Sequence, residues 1–317
     1  MFQKLRKSKK LLLVAMACAT FAIAGCGSDT TKNAADNGNA VTWSETFDGT
    51  KTDFAVKSSP THAVSMSQAT TEMMLQLGLE DKMAGTAFKE EEIYPPLQAA
   101  YDKVKVLSDK WPSYEVFMSV KPDFATGWPD SFSKRAIPAD KMIAQKVNIW
   151  LPESMLSTKA DLETNFNDMI KLGEIFGVKS KAEEWVAGQR KTLAAIQDKL
   201  KDLPRKRVFI YDSEDGQPFT AFEGYTTNIL KLIGADNVMS GLGVDKTWAK
   251  GSWETVIAQN PDYIIIADYG TSIRNDDDFQ QKIEKIKSNP QLQDITAVKE
   301  GHFIRVKLSE ITQIGRA

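Results

Sequence analysis

Residues 11–25, LLLVAMACATFAIAG, form an apolar run without a charge, and residues 27–40, GSDTTKNAADNGNA, are polar, small and turn-rich. Beyond residue 60 the pattern becomes one of short β-rich runs alternating with helical segments. His62–Met66, Val104–Leu107, Asp123–Gly127, Val147–Leu151, Arg207–Tyr211, Asp262–Ala267 and Phe303–Val306 read as strands, with amphipathic segments such as 68–79 and 226–233 between them. This alternation predicts parallel α/β layers and not a sandwich. The stretch 158–203 breaks the rhythm and reads as helical. Leu162, Phe166, Met169, Ile170, Gly173 and Phe176 follow three-and-four spacing, and Gly177 is placed to close that helix. Ser180-Lys-Ala-Glu183 then reads as a capping box opening a second helix. Its apolar face is Ala182, Trp185, Val186, Leu193, Ile196, Leu200 and Leu203, and Pro204 stops it. About 20 helical residues span about 30 Å. Such a helix suits an ordinary core or a stiff connector between two lobes.

Composition narrows the classes. With 42% hydrophobic and 26% charged residues the chain has a globular balance. At about 150 residues per domain, 317 residues suggest two domains. Two histidines exclude a His-rich metal cage, and a formal charge of −2 offers no basic footprint for nucleic acid.

Lys4, Arg6, Lys7, Lys9 and Lys10 precede the apolar run. The run is shorter than the roughly 20 residues a membrane span needs, so residues 1–25 read as a secretory signal peptide. Ile23-Ala24-Gly25-Cys26 resembles the lipobox of bacterial lipoproteins, whose cysteine is lipidated before cleavage on its amino side. The alternative is a plain signal cut after Ala24 or Gly25. Cleavage at Cys26 would remove Cys18 and five of the 40 basic residues, leaving 35 against 42 acidic, a net charge of −7. Residues 26–55 are then expected to be a lipidated cysteine and a flexible tether that holds the protein to a membrane, where several acyl chains anchor stably.

The strongest internal signal is a repeat. Ser113-Tyr-Glu-Val-Phe-Met-Ser-Val-Lys-Pro-Asp-Phe124 aligns without gaps on Ser252-Trp-Glu-Thr-Val-Ile-Ala-Gln-Asn-Pro-Asp-Tyr263, offset by 139 residues. Ser, Glu, Pro and Asp match, and aromatics recur at two further positions. Each copy reads as a capping Ser, an acidic first turn, an apolar helix, a Pro-Asp turn and a strand. Two lobes on one plan follow.

With Val64-Ser-Met-Ser-Gln-Ala-Thr-Thr-Glu72, the turn Leu77-Gly-Leu-Glu-Asp-Lys-Met-Ala-Gly85 and Pro218-Phe-Thr-Ala221, these motifs carry a family likeness over nearly all of 60–317. The chain resembles the extracytoplasmic substrate-binding lipoproteins of ABC importers for iron chelates and cobalamin. The resemblance implies an α/β fold of two Rossmann-like lobes with parallel-rich sheets, joined by a single long helix, with the ligand cleft between them. The implied division is an N-terminal lobe at 56–179, a connecting helix at 180–204 and a C-terminal lobe at 205–317. The family usually continues with a last amphipathic helix where this chain stops at Gly315-Arg-Ala317. No cofactor is implied beyond the ligand, itself a metal chelate or corrinoid. The implied partners are that small molecule, an ABC importer permease dimer with its ATPase, and the membrane through the lipid anchor. The protein is expected to be an extracytoplasmic monomer and not an enzyme.

In the family, Glu115 and Glu254 put one carboxylate on each lobe's exposed tip, where they meet arginines of the permease. An acid in a first helical turn also favours the helix dipole by itself. Ligands of open α/β sheets sit beyond the carboxyl ends of the strands. Trp128 and Tyr269 each follow such a strand, Trp248 lies in the loop before Glu254, and Phe219 follows Arg207–Tyr211 through a loop. Trp128, Phe219 and Trp248 match positions that line the cleft in cobalamin-binding relatives. Trp111, Phe222 and Tyr225 are further candidates on neighbouring loops, and any of these aromatics could instead belong to the core. Arg135 and Arg274 could pair with an acidic chelator or be surface charges. His62 and His302 read as structural. No Gly-x-Ser-x-Gly elbow, His-Glu-x-x-His or P-loop is present, and Asn275-Asp-Asp-Asp278 reads as a solvated loop and helix cap. The rival class is a lipid-anchored enzyme or adhesin on the same scaffold.

Overall fold

The structure, a computed structural model, describes residues 40–269, 278–307 and 310. Cys26, Arg274, Asn275, Asp276 and Asp277 lie outside the described residues.

The chain enters through a hairpin, β1 (Val41–Phe47) and β2 (Thr50–Val56), paired from Val41↔Val56 to Phe47↔Thr50. This corrects the expectation of a tether as far as residue 55. Asp48 and Gly49 have φ of 47° and 79°. Those are the angles of the two-residue Asp-Gly turn whose twist matches paired strands. A lone hairpin is marginal in water. Here Trp43 stacks on Phe54 and meets Phe124 edge-on, while Phe47 packs on Phe132.

The N-terminal lobe has β3 (Ala63–Ser65), β4 (Met83–Ala87), β5 (Val106–Ser108), β6 (Phe124–Thr126) and β7 (Asn148–Trp150) in the order β5-β4-β3-β6-β7, all parallel. Helices α1 (Gln68–Gln76), α2 (Gln98–Tyr101), α3 (Tyr114–Ser119), α4 (Ala139–Ala144) and α5 (Leu162–Ile175) accompany it. Successive strand residues feed opposite cores: Phe124 packs with Leu172 and Phe176, its neighbour Ala125 with Phe117 and Ile149. Burial on both faces is the signature of a parallel sheet.

Helix α6 (Lys179–Leu200) follows. Its start corrects the capping-box expectation, because the cap residue is Val178 and no side chain caps it. The turn is set by the end of α5 instead: Val178 N–H donates to Gly173 O at 2.7 Å and Gly177 N–H to Glu174 O, a Schellman closure. The capping box belongs to α5, between Asp161 and Thr164.

The C-terminal lobe has β8 (Lys206–Tyr211), β9 (Ser213–Asp215), β10 (Gln217–Ala221), β11 (Ala235–Asn237), β12 (Trp248–Lys250), β13 (Tyr263–Asp268) and β14 (Phe303–Lys307). A parallel sheet runs β11-β8-β13-β14, and β12-β10-β9 form a small antiparallel sheet. Helices α7 (Tyr225–Leu232) and α8 (Trp253–Gln259) lie between strands, and the chain continues into the helix Asp278–Ser288. No helix among the described residues is long and apolar enough to cross a membrane.

The repeat is visible atom by atom. Ser113 and Ser252 cap α3 and α8, accepting from Val116 N–H at 3.3 Å and Thr255 N–H at 3.1 Å. Lys121 and Asn260, each before its Pro-Asp, take positive φ of 50° and 43°. The Asp123 carboxylate then accepts from Thr61 and His62 N–H, and that of Asp262 from Arg207 N–H. Each aspartate staples its own strand to the start of the central one.

Candidate ligand-binding site

In both lobes the strand order reverses beside the central strand, between β3 and β6 and between β8 and β13. Such switch points open crevices at the strands' carboxyl ends. The repeat supplies β6 and β13, so the residues leaving them reach the crevices: Gly127-Trp128 and Asp268-Tyr269. Between the lobes lies a chamber lined by Trp128, Ser154 and Met155 on one side and by Glu223, Tyr225, Thr226, Thr247 and Trp248 on the other. The lobes close on small groups. Gly224 has φ 87°, and a Cβ there would lie 2.8 Å from Thr247 Cγ2 and 3.2 Å from Ser157 O. Asn228 Nδ2 donates across the seam to Ala160 O at 2.8 Å.

Trp128 Nε1 donates to Glu90 Oε2 at 3.4 Å. Burial pushes Glu90 up to about 7, with the carboxylates of Glu91 and Glu72 adding to the rise. Trp248 stacks on Phe219, ring centres 6.3 Å apart and planes 17° apart. Phe219 thus backs a chamber wall from β10 and is not itself among the lining residues. Tyr269 is not among the lining residues; its hydroxyl donates to Asp212 Oδ1 at 2.6 Å and its amide to Asp278 Oδ2 at 3.1 Å. Burial and the Asp212 carboxylate hold its phenol well above the usual range, so it stays a neutral donor. Lys282, buried against Asp278 at 2.7 Å, sits 4.6 Å from the Tyr269 ring centre. Trp111 stacks on Phe88 at 4.6 Å and donates to Met66 O at 3.1 Å; it belongs to the N-terminal lobe's upper loops and does not line the chamber.

Glu115 and Glu254 are exposed in the first turns of α3 and α8. Its own amide and the Ser113 hydroxyl hold the Glu115 carboxyl below its usual range. Phe222 is core, 3% exposed among Trp253, Val238 and Met239, which corrects it as a candidate. Arg135 forms an exposed ion pair with Asp130. His302 stacks on Tyr263, and His62 is exposed beside Thr61. Among the described residues no cluster of His, Cys, Asp and Glu could hold a metal ion.

Glu90, Ser154, Met155, Glu223, Thr226 and Thr247 escaped sequence reasoning. Glu90 stands in Lys89-Glu-Glu-Glu92, which reads as a solvated charge run, and Ser154-Met155 in a loop without periodicity.

A family model described as periplasmic binding protein matches residues 64–308. The chain is 26% identical over 272 residues to an uncharacterized ABC transporter substrate-binding lipoprotein of Bacillus subtilis (strain 168), covering 83% of this chain and 82% of that one. It is 23% identical to a vitamin B12-binding protein of Vibrio vulnificus (strain YJ016), over 76% and 79% of the two chains. A crystal structure of a periplasmic binding protein from Veillonella parvula DSM 2008 superposes with a TM-score of 0.86 at 94% identity, covering 88% of this chain and 95% of that one.

Proposed function

The chain belongs to the periplasmic binding protein family, and from that membership we propose that it is an extracytoplasmic receptor delivering a corrinoid or iron chelate to an ABC permease. It is a substrate-binding protein, like the transporter components it matches. The observation that carries the ligand class is the chamber between the lobes, with Trp128 and the Phe219-backed Trp248 facing it from opposite sides. Large rigid rings offer contact area to a bulky complex at little entropic cost. The B12-binding relative supports a corrinoid, and the family resemblance supports a ferric siderophore. Tyr269, a neutral hydroxyl held by Asp212, and Trp111 are proposed to support binding from outside the chamber lining. No resident cofactor is needed, because the metal arrives within its ligand.

Tryptophan fluorescence titrated with cyanocobalamin, a ferric trihydroxamate and haemin tests the reading. Submicromolar quenching by one of them is expected. A purified protein that binds none, and carries no metal complex from its host, sinks it.

The anchor is proposed at Cys26, in line with the lipoprotein it resembles, and the working form is a monomer. Cys26→Ser should release the protein from membranes on fractionation; unchanged membrane association would refute the lipobox reading. Glu115 and Glu254 are proposed to dock on the permease. Two separated anions on rigid helix starts, one per lobe, give orientation and register more than raw affinity.

A further inference from the structure

We propose that Glu45 and Asp168 are positioning residues for the ligand site, acting through the loop 151–157 and not by touching ligand. The inference rests on the reading of the inter-lobe chamber as the ligand's place.

The loop leaves β7 and ends shortly before α5. Ser154 and Met155 on it form the N-terminal lobe's wall of the chamber beside Trp128. A few residues on, the Ser157 carbonyl lies against Gly224 and the Ala160 carbonyl accepts from Asn228. One short segment therefore shapes both a chamber wall and the seam between lobes. Its own regular structure is a single 3-10 turn, Glu153–Met155.

Two buried carboxylates from outside the loop hold it. Glu45 on β1, 8% exposed, accepts from Leu151 N–H at 3.0 Å. Asp168 on α5, 5% exposed, accepts from the N–H groups of Glu153 and Ser154, each at 2.9 Å. Trp43, two residues before Glu45 on the same face of β1, donates to Ile149 O at 2.8 Å and extends the grip onto β7. Burial pushes Glu45 up to about 7 and Asp168 up to about 6. A carboxyl that loses its charge keeps one carbonyl oxygen that accepts from an amide, so protonation leaves the single Glu45 bond in place and one of the two Asp168 bonds. Burying two carboxyls is costly, and among the described residues the hydrogen bonds that offset the cost end on this loop. Side chains that lock a site's loop from behind set its precision without entering it. The hairpin, next in sequence to the tether, thus becomes part of the binding machinery.

The test combines amide exchange of the ligand-free protein with tryptophan-quench affinities for cyanocobalamin and a ferric trihydroxamate. Glu45→Ala and Asp168→Ala should lose protection at Leu151 and at Glu153 and Ser154 respectively. Each should weaken whichever probe binds wild type by on the order of tenfold, the equivalent of one lost hydrogen bond. Glu45→Gln keeps the acceptor and should keep both protection and affinity. Met142→Ala, a core truncation on α4 of the same lobe, should lower the melting temperature and leave affinity unchanged. Wild-type affinity in both alanine variants, or affinity loss in Met142→Ala in step with its melting temperature, would overturn the proposal. Exchange needs no ligand, so unchanged protection overturns it whether or not a probe binds. A wild-type chain that binds neither probe counts against the receptor reading alone.

Discussion

Trp128 and Trp248 face one chamber from opposite sides and are the two indoles that line it. Replacing both by Ala should abolish quenching and weaken binding by about 2–4 kcal/mol, the scale of buried aromatic anchors. Full affinity in the double variant would move the site elsewhere. Glu45 carries a different consequence. Its carboxyl rises from 4.5 to about 7 by burial, the Leu151 amide opposing and the Asp168 carboxylate adding to the rise. The folded state therefore holds this proton more tightly than the unfolded chain does. That contribution to stability is complete below pH 4.5, is lost as pH rises through 7, and amounts to roughly 3 kcal/mol. Glu45→Gln should flatten the fall in melting temperature between pH 5 and 8, leaving the variant more stable than wild type at pH 8. Parallel melting curves for the two proteins across that range would mean that Glu45 titrates normally.

Helices α3 and α8 are copies in sequence and in caps, yet they sit in different surroundings. Ser113 is exposed and Ser252 half-buried, beside the core residue Trp253. Ser→Ala at either site should cost about 1 kcal/mol, with Ser252→Ala the larger of the two because water replaces its hydroxyl less readily. Thermal melts check this, and equal losses would make the caps purely local. The repeat was legible because three of its four identities, Ser, Pro and Asp, are a cap, a stop and a staple that local geometry demands, and the fourth, Glu, sits in a first helical turn that favours an acid. The hairpin was missed, although Asp48-Gly49 between β-rich runs is a strong turn signal. Reading on from the polar residues 27–40 carried the tether too far. The start of α6 was not legible: Ser180…Glu183 has capping chemistry, but the Schellman turn at Gly177 fixes the chain direction two residues earlier.

At the scale of the whole molecule, docking is proposed to separate from capture. Glu115 and Glu254 stand exposed on helix starts, and neither lines the chamber. Replacing both by Arg would set cations against permease cations, and like-charge juxtaposition costs several kcal/mol. Ligand affinity of the purified variant should match wild type while uptake in cells and stimulation of the importer's ATPase fall sharply. Single replacements should be milder. Lost ligand binding with intact coupling would assign the two glutamates to the pocket instead.

What the sequence determined by itself is the architecture and the polarity of the site. Strand–helix alternation, a 139-residue repeat and one long helix specify two α/β lobes, and the strands' carboxyl ends specify where their aromatics emerge. These follow from local periodicity and chain connectivity, which a linear pattern carries. Tertiary structure alone decided which emerging residues meet. Trp128 meets the same chamber as Trp248 from the opposite lobe, Trp111 turns to Phe88, and Phe222 sinks into the core, although all four stood as aromatic site candidates in the sequence. It also decided that Glu45, in a stretch read as tether, and Asp168, on a helix face read for its apolar positions, converge on one loop. Residues 106 apart in sequence, such as Glu45 and Leu151, are brought together only when a hairpin packs on a finished sheet. No periodicity records that contact, because burial and hydrogen-bond geometry enforce it in space.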